Sequence, residues 1–363
     1  MHLNDFWFAL IAFLWTGYFF LEGFDFGIGV LTGLLARDAE ERGTLLATIG
    51  PVWDGNEVWM LTAVGATFAA FPDWYAALCS GFYLPVLAVV VCLIVRGVAL
   101  EYRAKRADAR WRRTCDRAVF WSSLVCAFLW GALFATMARG VPIGADGNVT
   151  GGAGLIVNPD AAFGGLVSLT LFTLHGALFA ALRCRGALRV RALRTARRVG
   201  GGCAVLALWA AFWLMVRTGD VVVLALVSVV VCALLVVREL AEQRREGWAF
   251  ALSGLIVVLV TGTLFGSLYP ALMPSATDPA WSLTVSSAAA GPYTLGILTW
   301  VAAFTAPVVM AYQAWTYWVF RKRIGGGPIG GGPIEGGAIG GGAPVHRPGR
   351  RGPRPERDVA TRG

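Results

Sequence analysis

Nine apolar runs, each close to the length a helix needs to cross a lipid bilayer, divide most of this 363-residue chain. Hydrocarbon offers the backbone no water to bond to, so a run of about 20 apolar residues inside it must close its hydrogen bonds within a helix. The runs cover roughly 6–35, 51–72, 75–100, 117–139, 161–183, 200–217, 220–237, 248–268 and 293–320. They predict an all-α, polytopic membrane protein whose helix count fits two four-helix bundles plus one peripheral helix. Composition agrees: only 15% of the residues are charged, against about 25% in soluble domains. The first run is long enough to pass beyond the membrane or to break at Gly23, Gly27 and Gly29. Only Arg217-Thr218-Gly219-Asp220 separates the sixth run from the seventh.

The net charge of +9 would suit a nucleic-acid binder if the cations formed a patch, but they lie between the apolar runs. With the N-terminus outside, 28 of the 31 Lys and Arg residues fall on the inner side, and only Arg139 and Arg217 on the outer. That asymmetry predicts an N-out, C-in topology and contact with anionic lipid headgroups, not nucleic acid. The start of the chain has no basic segment before its first apolar run, so that run is expected to be a retained span and not a signal peptide. The seven cysteines contain no Cys-x-x-Cys pair, so neither a disulfide nor a zinc site is expected. Residues 1–323 read as the transmembrane domain, and 324–363, rich in Gly, Pro and Arg, as a disordered cytoplasmic tail.

Charge inside the apolar runs is the chemical signal. Glu22 and Asp25 lie late in the first run, Asp54, Asn56 and Glu57 begin the second, and Arg96 ends the third, followed by Glu101. At about 1.5 Å per residue, three consecutive helices bring these groups to one layer near the inner surface. An ionisable group at such depth costs several kcal/mol unless paired or wetted. Carboxylates held there can take up and release protons, which marks Asp54, Glu57, Asp25 and Glu22 as a candidate proton path. Arg96, Glu101, Asp116 and Asn56 would form its supporting polar cluster.

Blander explanations compete. An acid in the first turn after Pro51 complements the helix dipole, which covers Asp54 alone but not Glu57 and Asp25 together. Arg96 could snorkel to the headgroups, and Trp53, Trp59, Trp74 and Trp111 lie near interfaces, where belt anchoring suits Trp74 and Trp111 best. His175 is the single histidine within a span. It cannot by itself supply both axial ligands of a bis-His haem, so it is a weak metal candidate and suits polar packing or a proton path better. No phosphate-binding loop or nucleophile triad is present.

The stretches Glu22-Gly23-Phe24-Asp25-Phe26-Gly27, Gly50-Pro51-Val52-Trp53-Asp54-Gly55-Asn56-Glu57-Val58-Trp59 and Ala69-Ala70-Phe71-Pro72 with Ser80-Gly81-Phe82-Tyr83 resemble subunit II of the cytochrome bd-type quinol oxidases. Arg96-Gly97, Glu101-Tyr102-Arg103 and Trp111-Arg112-Arg113-Thr114-Cys115-Asp116 continue the pattern. The resemblance implies one half of a heterodimeric terminal oxidase of the bacterial inner membrane. It also implies haems b558, b595 and d in subunit I, with ubiquinol or menaquinol as substrate, and in some members a small single-helix subunit. By motif, Asp54 corresponds to an acid on the path that carries cytoplasmic protons toward the haems, and Trp59 to a tryptophan near the proposed route of oxygen. Asp25, Arg96 and Asp116 match other polar positions of that family. Two other classes remain open on the residues alone: a proton-coupled secondary transporter using the same carboxylates, and a purely structural membrane scaffold.

Overall fold

The structure, a computed structural model, describes residues 2–218 and 221–324. The expected tail lies outside the described residues except for its first, Ile324. Eleven α-helices run through the described part: α1 (Leu3–Leu34), α2 (Ala39–Ile49), α3 (Trp53–Ala70), α4 (Pro72–Gly81), α5 (Tyr83–Tyr102), α6 (Ala109–Arg139), α7 (Pro159–Arg183), α8 (Gly186–Thr218), α9 (Val221–Glu242), α10 (Glu246–Leu268) and α11 (Pro292–Val319). A two-stranded hairpin, β1 (Ala271–Met273) and β2 (Leu283–Thr284), completes it.

Seven of the described helical segments are long and apolar enough to cross a membrane: 3–34, 83–105, 109–139, 159–183, 224–242, 246–268 and 292–319. The other two apolar runs fall within α3, whose 18 residues start with Asp54, Asn56 and Glu57, and α8, whose first half carries five arginines. The run at 75–100 is not one helix. It is split between α4 and α5 at Phe82, because Pro85 has no N–H for the carbonyl of Gly81 and its ring collides with that carbonyl.

α1 is the axis of the molecule and packs against α3, α6, α7, α10 and α11. It runs unbroken through its glycines, which act as notches. A Cβ on Gly27 would strike the Phe172 carbonyl oxygen and come within 2.8 Å of the Gly176 Cα, so the backbones of α1 and α7 meet directly. Such small-residue contacts let helices gain dispersion energy where the solvent is itself apolar. α11 lies on the outside, with most of its residues exposed.

The turns gather at the two ends of the bundle. At one end, Val141 N–H donates to Pro274 O (3.0 Å) and Ala290 N–H to Ala70 O (2.9 Å). At the other, Arg191 pairs with Glu41, Arg103 donates to Asp116 (2.6 Å) and Ala39 O (3.2 Å), and Arg189 donates to Glu246 (2.7 Å). Burial pushes the half-buried Glu41 carboxyl up, but hydrogen bonds from the Arg37 N–H and from Arg191 outweigh it and hold the group below its ordinary 4.5. A lowered folded-state value means that the pair contributes stability above the unfolded pKa and loses it as pH falls through the folded one. Arg191→Gln should therefore lower the thermal midpoint at about pH 7, and its effect should shrink as the pH falls through the folded-state value and Glu41 becomes protonated in both states.

Candidate functional site

Four helices converge on one buried layer. α1 brings Glu22 and Asp25, both without exposure, α3 brings Asn56 and Glu57, α5 brings Arg96, and α11 brings Gln313 and Tyr317. Glu22 and Asp25 are three residues apart, as are Asp54 and Glu57, so each pair shares a face of its helix.

Arg96 is fully buried and forms an ion pair with Glu22. The same Nη2 lies 3.5 Å from Glu57 Oε2, and the guanidinium carbon sits 4.7 Å over the Phe26 ring. One cation thus serves two carboxylates from different helices, and snorkelling does not describe it. Asp25 has a separate setting. Asn56 Nδ2 donates to Asp25 Oδ2 (2.8 Å), while Asn56 Oδ1 accepts from Gln313 Nε2 (3.0 Å) and from the Tyr317 hydroxyl (2.7 Å). Two donors on Oδ1 fix which way the amide points, so a defined string runs from Tyr317 through Asn56 to Asp25. Asp25 Oδ1 is buried with no hydrogen-bond partner among the described residues. Three carboxylates around one guanidinium would leave two negative charges in excess if all were ionised. Uncompensated buried charge costs several kcal/mol, so the layer is balanced only when it also holds protons.

Asp54 stands outside this packed layer. It is exposed on α3, one turn before Glu57, and makes no hydrogen bond or ion pair among the described residues. Beside it the α3 and α5 surface is apolar, with Val58, Leu61, Leu87, Val91 and Ile94 exposed. A carboxylate in that position can pass a proton between a surface and the buried acids.

Two residues expected in the supporting cluster are elsewhere. Five residues of helix turn about 140°, so Glu101 points away from Arg96; it is exposed and pairs with Lys105 at 3.0 Å. Asp116 accepts from Arg103 at 2.6 Å and fastens the turn between α5 and α6. Trp59 is buried against Gly17 and 6.0 Å from Phe13, with its indole N–H unpartnered, and Trp53 is half-buried over Gly97. Trp74 is a core residue, 1% exposed, so it is not a belt anchor. It lines an apolar cavity of about 70 Å³ with Trp15, Thr67, Phe82 and Trp130; Trp59 does not line it. Gln313 and Tyr317 were not anticipated. α11 carries other neutral polar residues, Thr299, Thr305, Tyr312 and Thr316 among them, so nothing in the sequence singles these two out.

His175 is fully buried and stacks on Phe250, with ring centroids 4.5 Å apart. Its Nδ1 lies 2.7 Å from the Ser253 hydroxyl and its Nε2 3.2 Å from Phe20 O. A carbonyl can only accept, so Nε2 carries the proton and Nδ1 accepts from Ser253. With both nitrogens engaged, His175 does not fit the part of a haem ligand, and its surroundings are those of polar packing. Among the described residues no group of three His, Cys, Asp or Glu side chains is placed to hold a metal ion.

Comparison with known proteins gives a consistent result. The family described as cytochrome bd terminal oxidase subunit II matches residues 3–320. The chain is 41% identical over 328 residues to a cytochrome bd ubiquinol oxidase subunit 2 of Bacillus subtilis (strain 168), covering 89% of this chain and 97% of that one. It is 32% identical over 360 residues to the cytochrome bd-I ubiquinol oxidase subunit 2 of Escherichia coli (strain K12), covering 89% and 95%. A solved bd oxidase from Geobacillus thermodenitrificans shares the fold, with a TM-score of 0.70 at 18% identity over 88% of this chain and 99% of that one.

Proposed function

Because this chain belongs to the cytochrome bd terminal oxidase subunit II family, we propose that its buried layer of acids carries protons for the oxygen reduction of that enzyme. The chain is a subunit of an oxidoreductase complex of the respiratory chain, and that complex implies a subunit I partner together with haem and quinol. Haems b558, b595 and d and the site of quinol oxidation are assigned to that partner, in keeping with the engaged ring of His175.

The observation that carries the proposal is the arrangement of Glu22, Asp25 and Glu57 about a single Arg96, with Asp54 exposed one turn away. Asp54 receives a proton at its carboxylate and passes it toward Glu57. The Arg96 guanidinium keeps Glu57 and Glu22 close enough to exchange it, and the Asn56 amide holds Asp25 ready at the end of the layer. Asp54 and Glu57 share a helix face one turn apart, so a bridging water would carry the proton between them. The exposed apolar faces of α3 and α5 support docking of the partner there, which would place Asp54 at its edge. The apolar cavity between α1, α3, α4, α5 and α6 supports a share in oxygen access, with Trp59 outside it against Gly17.

The finer topology belongs to the same proposal: nine crossings in two four-helix bundles plus one peripheral helix within residues 1–323, N-out and C-in, in the bacterial inner membrane. The alternating ends of the helices and the clustering of arginines at one end support it. A small single-helix subunit, quinone and anionic lipids would complete the assembly.

Asp54→Asn in the assembled complex is expected to slow quinol-driven oxygen consumption by about tenfold or more, below the roughly hundredfold or greater effect of a direct acid–base catalyst because water carries part of the flux, while the haem spectrum stays unchanged. Undiminished turnover would leave a scaffold as the role of this chain. A transporter is disfavoured by the unbroken α1 and by acids confined to one end, since transporters place their sites at broken helices near the midplane.

A further inference from the structure

Between α1, α7, α10 and α11 lies a cavity of about 420 Å³ that the acid layer does not use. Phe20, Phe24, Phe179, Phe250 and Tyr317 form its walls, and Arg183, Arg321 and Arg323 also line it. Arg183 is the unexplained group. It is only 8% exposed, its Nε is buried without a partner, and its guanidinium makes no hydrogen bond or ion pair among the described residues. The nearest carboxylate on α10, Glu246, is already taken by Arg189 and, at 3.6 Å, by Arg323. The Arg183 guanidinium carbon lies 5.8 Å from the Phe179 ring centroid.

The neighbourhood is built and not incidental. After α11 the chain turns back, and Ile324 N–H donates to Arg183 O at 2.7 Å, which brings Arg321 and Arg323 beside the end of α7. Arg321 donates to Trp318 O at 2.8 Å and lies 4.5 Å over the Trp318 ring, so its guanidinium is held although the residue is exposed. The Arg183 Nε is buried without a partner while its Nη atoms open to the cavity, and the described side chains supply no counter-charge there; a guanidinium largely withdrawn from water without one is costly. An anion with oxygen acceptors would, and phosphate suits the arginine fork. The aromatic walls exceed what a bare ion needs, and suit hydrocarbon.

We propose that this cavity binds the phosphate group of an anionic phospholipid, with Arg183 and Arg321 on the phosphate and an acyl chain along Phe20, Phe24, Phe179 and Phe250. The lipid would also border Tyr317, whose hydroxyl donates to Asn56.

The test is native mass spectrometry of the delipidated complex, purified with its partner, titrated with dioleoylphosphatidylglycerol, dioleoylphosphatidylcholine or inorganic phosphate. The expected result is one phosphatidylglycerol retained per chain, more tightly than phosphatidylcholine and displaced by excess inorganic phosphate. Arg183→Gln and Arg321→Gln should each weaken retention about tenfold, as loss of one charge-assisted contact does, and Arg183→Lys should restore part of it. Arg321 is exposed, so its variant reports even if Arg183→Gln fails to assemble. Inorganic phosphate binding as tightly as the lipid would keep the anion site but overturn a lipid as its source. Retention unchanged in both glutamine variants would overturn the proposal, as would a copurifying quinone lost in Arg183→Gln while bound lipid phosphorus stays constant.

Discussion

Replacing Arg96 by Leu is expected to destabilise the protein by about 3–5 kcal/mol, the range found when one partner of a buried ion pair is removed. The guanidinium lies between Glu22 and Glu57 with no exposure, so its loss leaves Glu22 in an apolar interior with no cation, and α1, α3 and α5 without a shared tie. In cells this should read as little assembled complex, and in detergent as a markedly lower thermal midpoint. The double variant Glu22→Gln with Arg96→Leu should recover most of the loss, because removing both charges also removes their desolvation cost. A snorkelling arginine would behave differently: its replacement would cost less than about 1 kcal/mol, as exposed ion pairs do.

Gly27→Ala should be the next most damaging single change, at about 1–3 kcal/mol or more, the range for forcing extra atoms into a packed core. The new methyl would meet backbone on α7, the Phe172 carbonyl oxygen and the Gly176 Cα, and backbone cannot swing aside as a side chain can. α1 and α7 would have to separate, and the layer of acids depends on the position of α1. Gly65→Ala is the matched control: nothing lies within 4 Å of its added methyl, and helix propensity alone should stabilise by up to about 1 kcal/mol. Thermal unfolding of the two variants measures the contrast directly.

The acids could be found in the sequence because charge in a hydrocarbon-length run is rare and expensive. Depth counted along three helices was enough to bring Glu22, Asp25, Glu57 and Arg96 together. It was not enough for Glu101, where depth is right but the direction around the helix is wrong, nor for Asp116, which satisfies Arg103 instead. The part of α11 could not be read because Gln313 and Tyr317 are distant in sequence and neutral, and neutral polar groups carry no penalty that singles them out. Helix starts did not always follow hydropathy: α6 begins at Ala109 and α8 at Gly186, well before the apolar runs from 117 and 200, and Pro85 splits the run at 75–100. Trp74 shows the same limit: an aromatic near a span end suits an interface or a core equally well, and only packing decides.

The most direct test is the rate of proton uptake when the fully reduced complex, reconstituted in liposomes, receives an oxygen pulse, compared among the unaltered protein, Asp54→Asn and Glu101→Gln. Proton uptake and oxygen reduction should slow together by about tenfold or more in Asp54→Asn and remain unchanged in Glu101→Gln, which lies outside the acid layer. Equal uptake rates in all three would contradict proton conduction through these residues and leave the cluster as a structural tie between helices.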